Sequence, residues 1–168
     1  MDAENLRSLV SEVVREVIAR RSATRTVALG SDHGGFELKT RLKGFLEGQG
    51  YAVVDVGTRT KDACDYPDYA KAVARAVLGG ACEAGIMIDG MGIGSAMVCN
   101  KFRGIRAACC YDLKSIQSSR QHNNANVLTL GPGANPPEAV EGMVKVWLET
   151  PFESGRHQPR VDKIEQGA

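Results

Sequence analysis

Hydrophobic and polar positions divide the chain into two unlike parts. Over residues 1–21, Leu6, Leu9, Val10, Val13, Val14, Val17 and Ile18 recur at helical spacing. They form one apolar stripe, with Glu4, Arg7, Glu12, Arg15 and Glu16 on the other side. Asp2 and Glu4 open the segment, and Arg20 and Arg21 close it, as a helix dipole favours. Ser22, Ala23 and Thr24 then make a short polar joint.

From Arg25 onward, short apolar runs alternate with longer amphipathic ones. The pattern predicts strands near 26–31, 51–56, 85–89, 104–110 and 125–130. It predicts helices near 35–48, 67–79, 93–101, 112–121 and 136–149. The run Gly85-Ile86-Met87-Ile88 is almost continuously apolar, which suits a parallel strand covered on both faces. Alternating strands and helices predict an α/β fold, a doubly wound five-stranded parallel sheet in three α/β/α layers. The division is therefore an N-terminal amphipathic helix and linker over 1–24 and one domain over 25–168. Ligands of such sheets bind outside the carboxyl ends of the strands, so the chemistry is sought in those loops.

Composition narrows the function classes. The chain has 168 residues, 43% hydrophobic and 24% charged, enough for one cored domain without staples. The net charge of +1 points to neither nucleic acid nor an anionic membrane as partner. Cys64, Cys82, Cys99, Cys109 and Cys110 are odd in number and form no CxxC pair, which reads as reduced thiols in a cytoplasmic protein. His33, His122 and His157 lie too far apart in sequence for a zinc pattern. No apolar run approaches the ~20 residues of a membrane span.

Four polar stretches carry candidate chemistry. The first predicted strand ends in Gly30-Ser31-Asp32-His33-Gly34-Gly35, an acid beside an imidazole, then two glycines opening a helix. Asp32 fits a ligand group and equally an N-cap. The third strand ends in Asp89-Gly90-Met91-Gly92-Ile93-Gly94-Ser95, whose alternate glycines can wrap an anionic oxygen. This loop lacks the dinucleotide spacing and follows the third strand rather than the first, which argues against a nucleotide module. Asp89 likewise fits a cleft-facing base or a helix cap. Ser119-Arg120-Gln121-His122-Asn123-Asn124-Ala125-Asn126 surrounds a histidine with amides and an arginine. Finally, Arg156 and Arg160 are four apart in Gly155-Arg156-His157-Gln158-Pro159-Arg160 and share a face if the turn is helical. Paired guanidinium groups match phosphate geometry.

Taken with Asp65-Tyr66-Pro67, Asn100-Lys101 and Gly104-Ile105-Arg106-Ala107, these blocks resemble the signatures of the ribose-5-phosphate isomerase B family, to which galactose-6-phosphate isomerase subunits also belong. The resemblance runs in order from about Val27 to Val161. It implies a Rossmann-like homodimer, sometimes a tetramer, with active sites shared across the interface and no metal or cofactor. It implies aldose–ketose isomerisation of a sugar phosphate, ribose 5-phosphate or a six-carbon analogue. By that resemblance Asp32 and His122 open the furanose ring with Tyr66 nearby. His33, Arg156 and Arg160 bind phosphate, while Asn123 and the amides of Gly90, Gly92 and Gly94 hold the sugar and its enediolate.

Two positions depart from the family pattern. Asp89 stands where the family usually carries a cysteine base, and Met91 stands where threonine or serine is frequent. A carboxylate is a competent but weak base unless burial raises its proton affinity, and a helix start favours its charged form. Cys99 is no substitute, because it falls inside the following helix. The expectation is an isomerase with Asp89 as base and an altered rate or substrate preference. The competing expectation is a sugar-phosphate-binding homologue with a scaffold or cargo role, in which Asp89 is consumed as a cap.

Residues 1–21 are extra to that family core. They resemble the encapsulation peptides that direct cargo into bacterial microcompartments, with a shell or cargo protein as partner. The plainer alternative is a helix packed on its own domain. The mixed charge of its polar face and the lack of Trp or Phe anchors argue against a membrane surface.

Overall fold

The computed structural model describes residues 25–166. The expected N-terminal helix of residues 1–24 lies outside the described residues. Five strands alternate with helices: β1 (Thr26–Ser31), α1 (Phe36–Gly48), β2 (Ala52–Asp55), α2 (Tyr66–Leu78), β3 (Ala84–Ile88), α3 (Ile93–Cys99), β4 (Ala107–Cys109), α4 (Leu113–Gln121), β5 (Val127–Leu130) and α5 (Pro137–Glu149). A 3-10 turn, Gly155–His157, leads into α6 (Gln158–Gln166). All strand pairs are parallel, in the order β2-β1-β3-β5-β4. The order reverses between β1 and β3, so the crevice for a ligand opens where the loops after those two strands meet.

Side-chain alternation along the central strands builds two cores. Val27, Leu29, Ile86, Ile88, Leu128 and Leu130 face α1, α4 and α5, against Leu38, Leu42, Leu46, Ile116, Val144 and the fully buried Trp147. Ala28, Met87 and Val127 face α2 and α3, against Ala70, Val73, Ala74 and Cys99. Both faces of the sheet are covered, which explains the continuous apolar runs. Among the described residues no helix is long and apolar enough to cross a membrane.

Two elements differ from the sequence pattern. The fourth strand is shorter than 104–110, because side-chain amides replace the ladder before it. Asn126 Oδ1 accepts from Arg106 N at 2.8 Å and Asn100 Oδ1 accepts from Ala107 N at 2.8 Å. Helix α6 has no counterpart in the pattern, since Val161 and Ile164 alone make too narrow a stripe. Tertiary bonds hold it: Glu165 pairs with Arg106 and accepts from Gly104 N at 3.0 Å.

An ion pair between a buried lysine and an exposed aspartate braces the crevice. The Lys39 ammonium, 4% exposed, lies 2.7 Å from Asp55 Oδ2, and Asp55 Oδ1 accepts from Gly57 N at 3.0 Å. Thr58 N then donates to Ser31 O at 2.9 Å, tying the loop after β2 to the end of β1.

Candidate active site

The loops after β1 and β3 lie side by side. A Cβ placed on Gly34 would sit 3.4 Å from Asp32 Oδ1 and 3.8 Å from Gly90 N. Asp32 is buried, and its Oδ1 accepts from Gly35 N at 3.1 Å at the entry to α1. Its Oδ2 has no partner among the described residues, so Asp32 is a cap with one oxygen to spare. His33 is exposed, with Nδ1 held at the Cys64 backbone, 3.1 Å from the carbonyl and 3.2 Å from the amide. Its Nε2 has no partner among the described residues and is available to an anion.

The glycine loop is set by close approach. Gly92 has φ 79°, and a Cβ there would lie 2.9 Å from Leu130 N, so both backbone sign and space require glycine. At Gly94 a Cβ would fall 2.7 Å from the Tyr66 ring, which lies flush against the loop from the start of α2.

Asp89 sits in this loop with both oxygens engaged. Oδ1 accepts from Met91 N at 2.9 Å and from Gly92 N, and Oδ2 accepts from Ser95 N at 2.9 Å and Ser95 Oγ at 2.5 Å. A carboxylate has about four lone-pair sites, and all four are taken. The amide of Gly92, expected to face a sugar oxygen, therefore serves Asp89 here. The amides of Gly90 and Gly94 have no partner among the described residues. Cys99 is buried, and burial, reinforced by the charge of Asp89, pushes its thiol up to about 12. It bonds Ala70 O at 3.5 Å and is no alternative base.

The remaining candidates lie elsewhere. Helix α4 runs back against the strands, so His122 at its end sits at the amino ends of β4 and β5. The amide of Gly85, at the start of β3, donates to Asn126 O there, and Asn126 and Asn124 brace Arg106. His122, Asn123, Arg156 and Arg160 thus form a second group, separated from Asp32 and Asp89 by the length of the strands, ~15 Å. One chain does not bring the two groups together. The expected position at the carboxyl ends of the strands thus holds for Asp32, His33 and Asp89 and not for His122, Asn123, Arg156 and Arg160.

The polar crowd around His122 also resolves into separate jobs. Arg120 donates to Thr150 O at 3.2 Å and to Ala125 O, with its guanidinium over the Trp147 ring at 5.2 Å. Ser119 Oγ accepts from Trp147 Nε1 at 3.2 Å. Asn124 takes a positive φ of 47° in the turn. These residues hold the helix end, and Asn123 alone of the amides is exposed. Arg156 and Arg160 are exposed on a helical turn and pair with no carboxylate among the described residues.

Two residues of this group had no assigned role. His157 is buried and its ring stacks on His122, centroids 4.4 Å apart and planes 11° from parallel. Burial, then the neighbouring His122 and Arg156, push the His157 imidazole below its usual range. Glu153 Oε2 lies 3.9 Å from His122 Nε2 and 3.7 Å from His157 Nε2. The three ligand atoms lie within 4.8 Å of one another. Stacked imidazoles aim their in-plane lone pairs in parallel rather than at one point, and Arg156 Nε stands 3.3 Å from His157 Nε2. The trio is arranged for protons rather than for a cation. No sequence signal marked Glu153, since an acid in a polar tail is ordinary.

Two cavities flank the site, the larger beside this second group and the smaller nearer the loop after β3. The larger, about 650 Å³, is lined by Asn100, Arg103, Arg106, Asn123 and Ile164 among others. The smaller, about 510 Å³, lies along α3 between Ile93, Met97 and Cys109.

The profile of the Ribose/Galactose Isomerase family matches residues 27–164. The chain belongs to that family. It is 44% identical over 140 residues to ribose-5-phosphate isomerase B of Escherichia coli (strain K12), covering 83% of this chain and 94% of the relative. It is 38% identical to the D-erythrulose-4-phosphate isomerase of Pectobacterium atrosepticum, covering 83% and 92%. The solved structure of Clostridium thermocellum ribose-5-phosphate isomerase B superposes with a TM-score of 0.83 at 42% identity, covering 84% of this chain and 95% of that one. The Leishmania infantum type B ribose 5-phosphate isomerase gives 0.81 at 41%, covering 85% and 95%. Membership makes this chain a sugar-phosphate isomerase with the family's Rossmann-like fold.

Proposed function

We propose that the chain interconverts ribose 5-phosphate and ribulose 5-phosphate, passing a proton between C2 and C1 through a cis-enediolate. The observation that carries this reading is the split site. One end of the sheet offers Asp32, His33, Tyr66 and the glycine loop, and the other offers His122, Asn123, Arg156 and Arg160. Neither half suffices, so a second copy completes each centre. Met91, Ile93, Met97 and Leu113 are exposed by 51%, 46%, 64% and 53%, a set of large apolar side chains that supports such a dimer.

In the joined site the free Asp32 oxygen and His122 open the furanose ring beside Tyr66. His33 and the two unpaired arginines bind phosphate. Asp89 moves the proton, and the unpartnered amides of Gly90 and Gly94, with Asn123, receive the developing oxyanion. Ser95 Oγ is the one of Asp89's four donors that rotation alone can withdraw, which frees a lone pair for the substrate proton.

The four donors on Asp89 also favour a second reading, a homologue that binds sugar phosphate with little or no turnover and serves as scaffold or cargo. Turnover of ribose 5-phosphate by the full chain separates the two. Formation of ribulose 5-phosphate at a saturable rate supports the isomerase reading, and binding without turnover supports the second. For residues 1–21 the reading is a docking segment for a microcompartment shell or cargo partner. A reporter fused to these residues then concentrates inside shells, and a diffuse reporter in shell-producing cells rejects it.

A further inference from the structure

The groups gathered around His122 go beyond that scheme. We infer that Glu153 is a positioning residue for ring opening, its carboxylate placed to attract the proton-bearing His122 ring, which Ser118 and the stacked, neutral His157 orient. The inference rests on the reading of His122 as the ring-opening acid.

Protonated His122 has two N–H groups, and the structure supplies a hydrogen-bond partner for one and a nearby negative charge for the other. Ser118 Oγ, on the same helix, lies 3.2 Å from Nδ1. Glu153 Oε2 lies 3.9 Å from Nε2, close enough to attract the charge without capturing the N–H. That N–H stays free for the sugar. His157 does not compete for the carboxylate. Arg156 Nε donates to His157 Nε2, so this nitrogen carries no proton. A second charge on a ring stacked at 4.4 Å would repel the first, and the Arg156 and Arg160 guanidinium groups oppose it further. His157 is thus engaged with Arg156, and His122 is the ring of the stacked pair left to face the sugar.

The backbone holds Glu153 at this spot. Its N–H donates to Gln121 O at 3.0 Å, the residue before His122. The next residue, Ser154, has φ 57° and ψ −137°, a conformation that favours glycine. His157 N closes this turn on Ser154 O at 2.9 Å. A strained serine beside Glu153 marks a segment whose path is dictated by where the carboxylate and the ring must lie.

The step is balanced. His122 gives its proton to the furanose ring oxygen O4, the C1–O4 bond breaks, and the anomeric hydroxyl passes its proton to Asp32, leaving an aldehyde at C1. Ribulose 5-phosphate needs no such step, because phosphate blocks its O5 and it stays open-chain. In deuterated water, label entering C1 of ribulose 5-phosphate reports proton transfer alone, whereas net ribose 5-phosphate also requires ring closure.

The test follows both by NMR for the wild-type chain, Glu153→Gln, Glu153→Asp and His122→Asn. The inference expects the ratio of label uptake to net ribose 5-phosphate formation to rise about tenfold in E153Q, with E153D restoring most of the native ratio. An E153Q ratio equal to wild type, whether both rates fall or neither does, overturns the role of Glu153. A wild-type ratio in H122N with an altered one in E153Q overturns the ring-opening reading of His122, and this inference with it. A wild-type chain with neither label uptake nor product overturns the isomerase reading itself.

Discussion

Replacing Asp89 with Asn separates the two jobs that one carboxylate is asked to do. The amide oxygen of the substituted side chain can keep the bonds from Met91 N and Gly92 N. The new NH2 group then faces Ser95 N, donor against donor, while the Ser95 hydroxyl can rotate to accept. The Ser95 amide is left buried without a partner, at a cost of about 2 kcal/mol. The two retained bonds lose their charge assistance, costing about 1 kcal/mol more. A loss of about 3 kcal/mol in a chain of this length lowers Tm by roughly 9 °C, readable by calorimetry. Turnover, measured well below the new Tm on folded protein, falls by about 10²–10⁴ if Asp89 also moves the proton. An unchanged Tm would refute the lone-pair accounting. A lowered Tm with native turnover would refute the base and leave only the anchor.

Other expectations are simpler. Arg156→Ala and Arg160→Ala each weaken ribose 5-phosphate binding about tenfold with little change in Tm; equal affinity in titration calorimetry would remove them from the phosphate site. His157 takes up its proton below 6.5 in the folded chain and nearer that value when unfolded. Between those points the unfolded chain binds more protons, so stability is complete above pH 6.5 and falls as pH drops below it. Urea midpoints from about pH 7.5 to 5 should show this slope, and His157→Gln should flatten it. Lys39→Met leaves the solvent-exposed Asp55 without its partner and costs about 1 kcal/mol, measurable by urea denaturation; a neutral result would mean that the ion pair does not brace the crevice loop.

Why does the sequence place one half of the site and only name the other? Asp32, His33, Asp89 and the glycines follow directly on β1 and β3, so an apolar run that predicts a strand also predicts where its loop emerges. His122 and Arg156 carry no such guide. Their end of the molecule is set by the direction in which α4 runs, and a direct neighbour in space, Glu153, is 31 positions away from His122 in the chain. The same blindness hid α6, whose bonds go to Arg106 and Gly104 rather than along its own stripe.

The sequence by itself determined the order of strands and helices, the coverage of both sheet faces and the family chemistry. The reason is that local periodicity and contiguous motifs are written along the chain. Only the tertiary structure decided that Asp89 turns inward onto four donors, that the imidazoles stack, and that the candidate catalytic groups lie at opposite ends of one sheet. Those are relations between residues distant in sequence, fixed by lone-pair directions and packing, for which no local pattern exists.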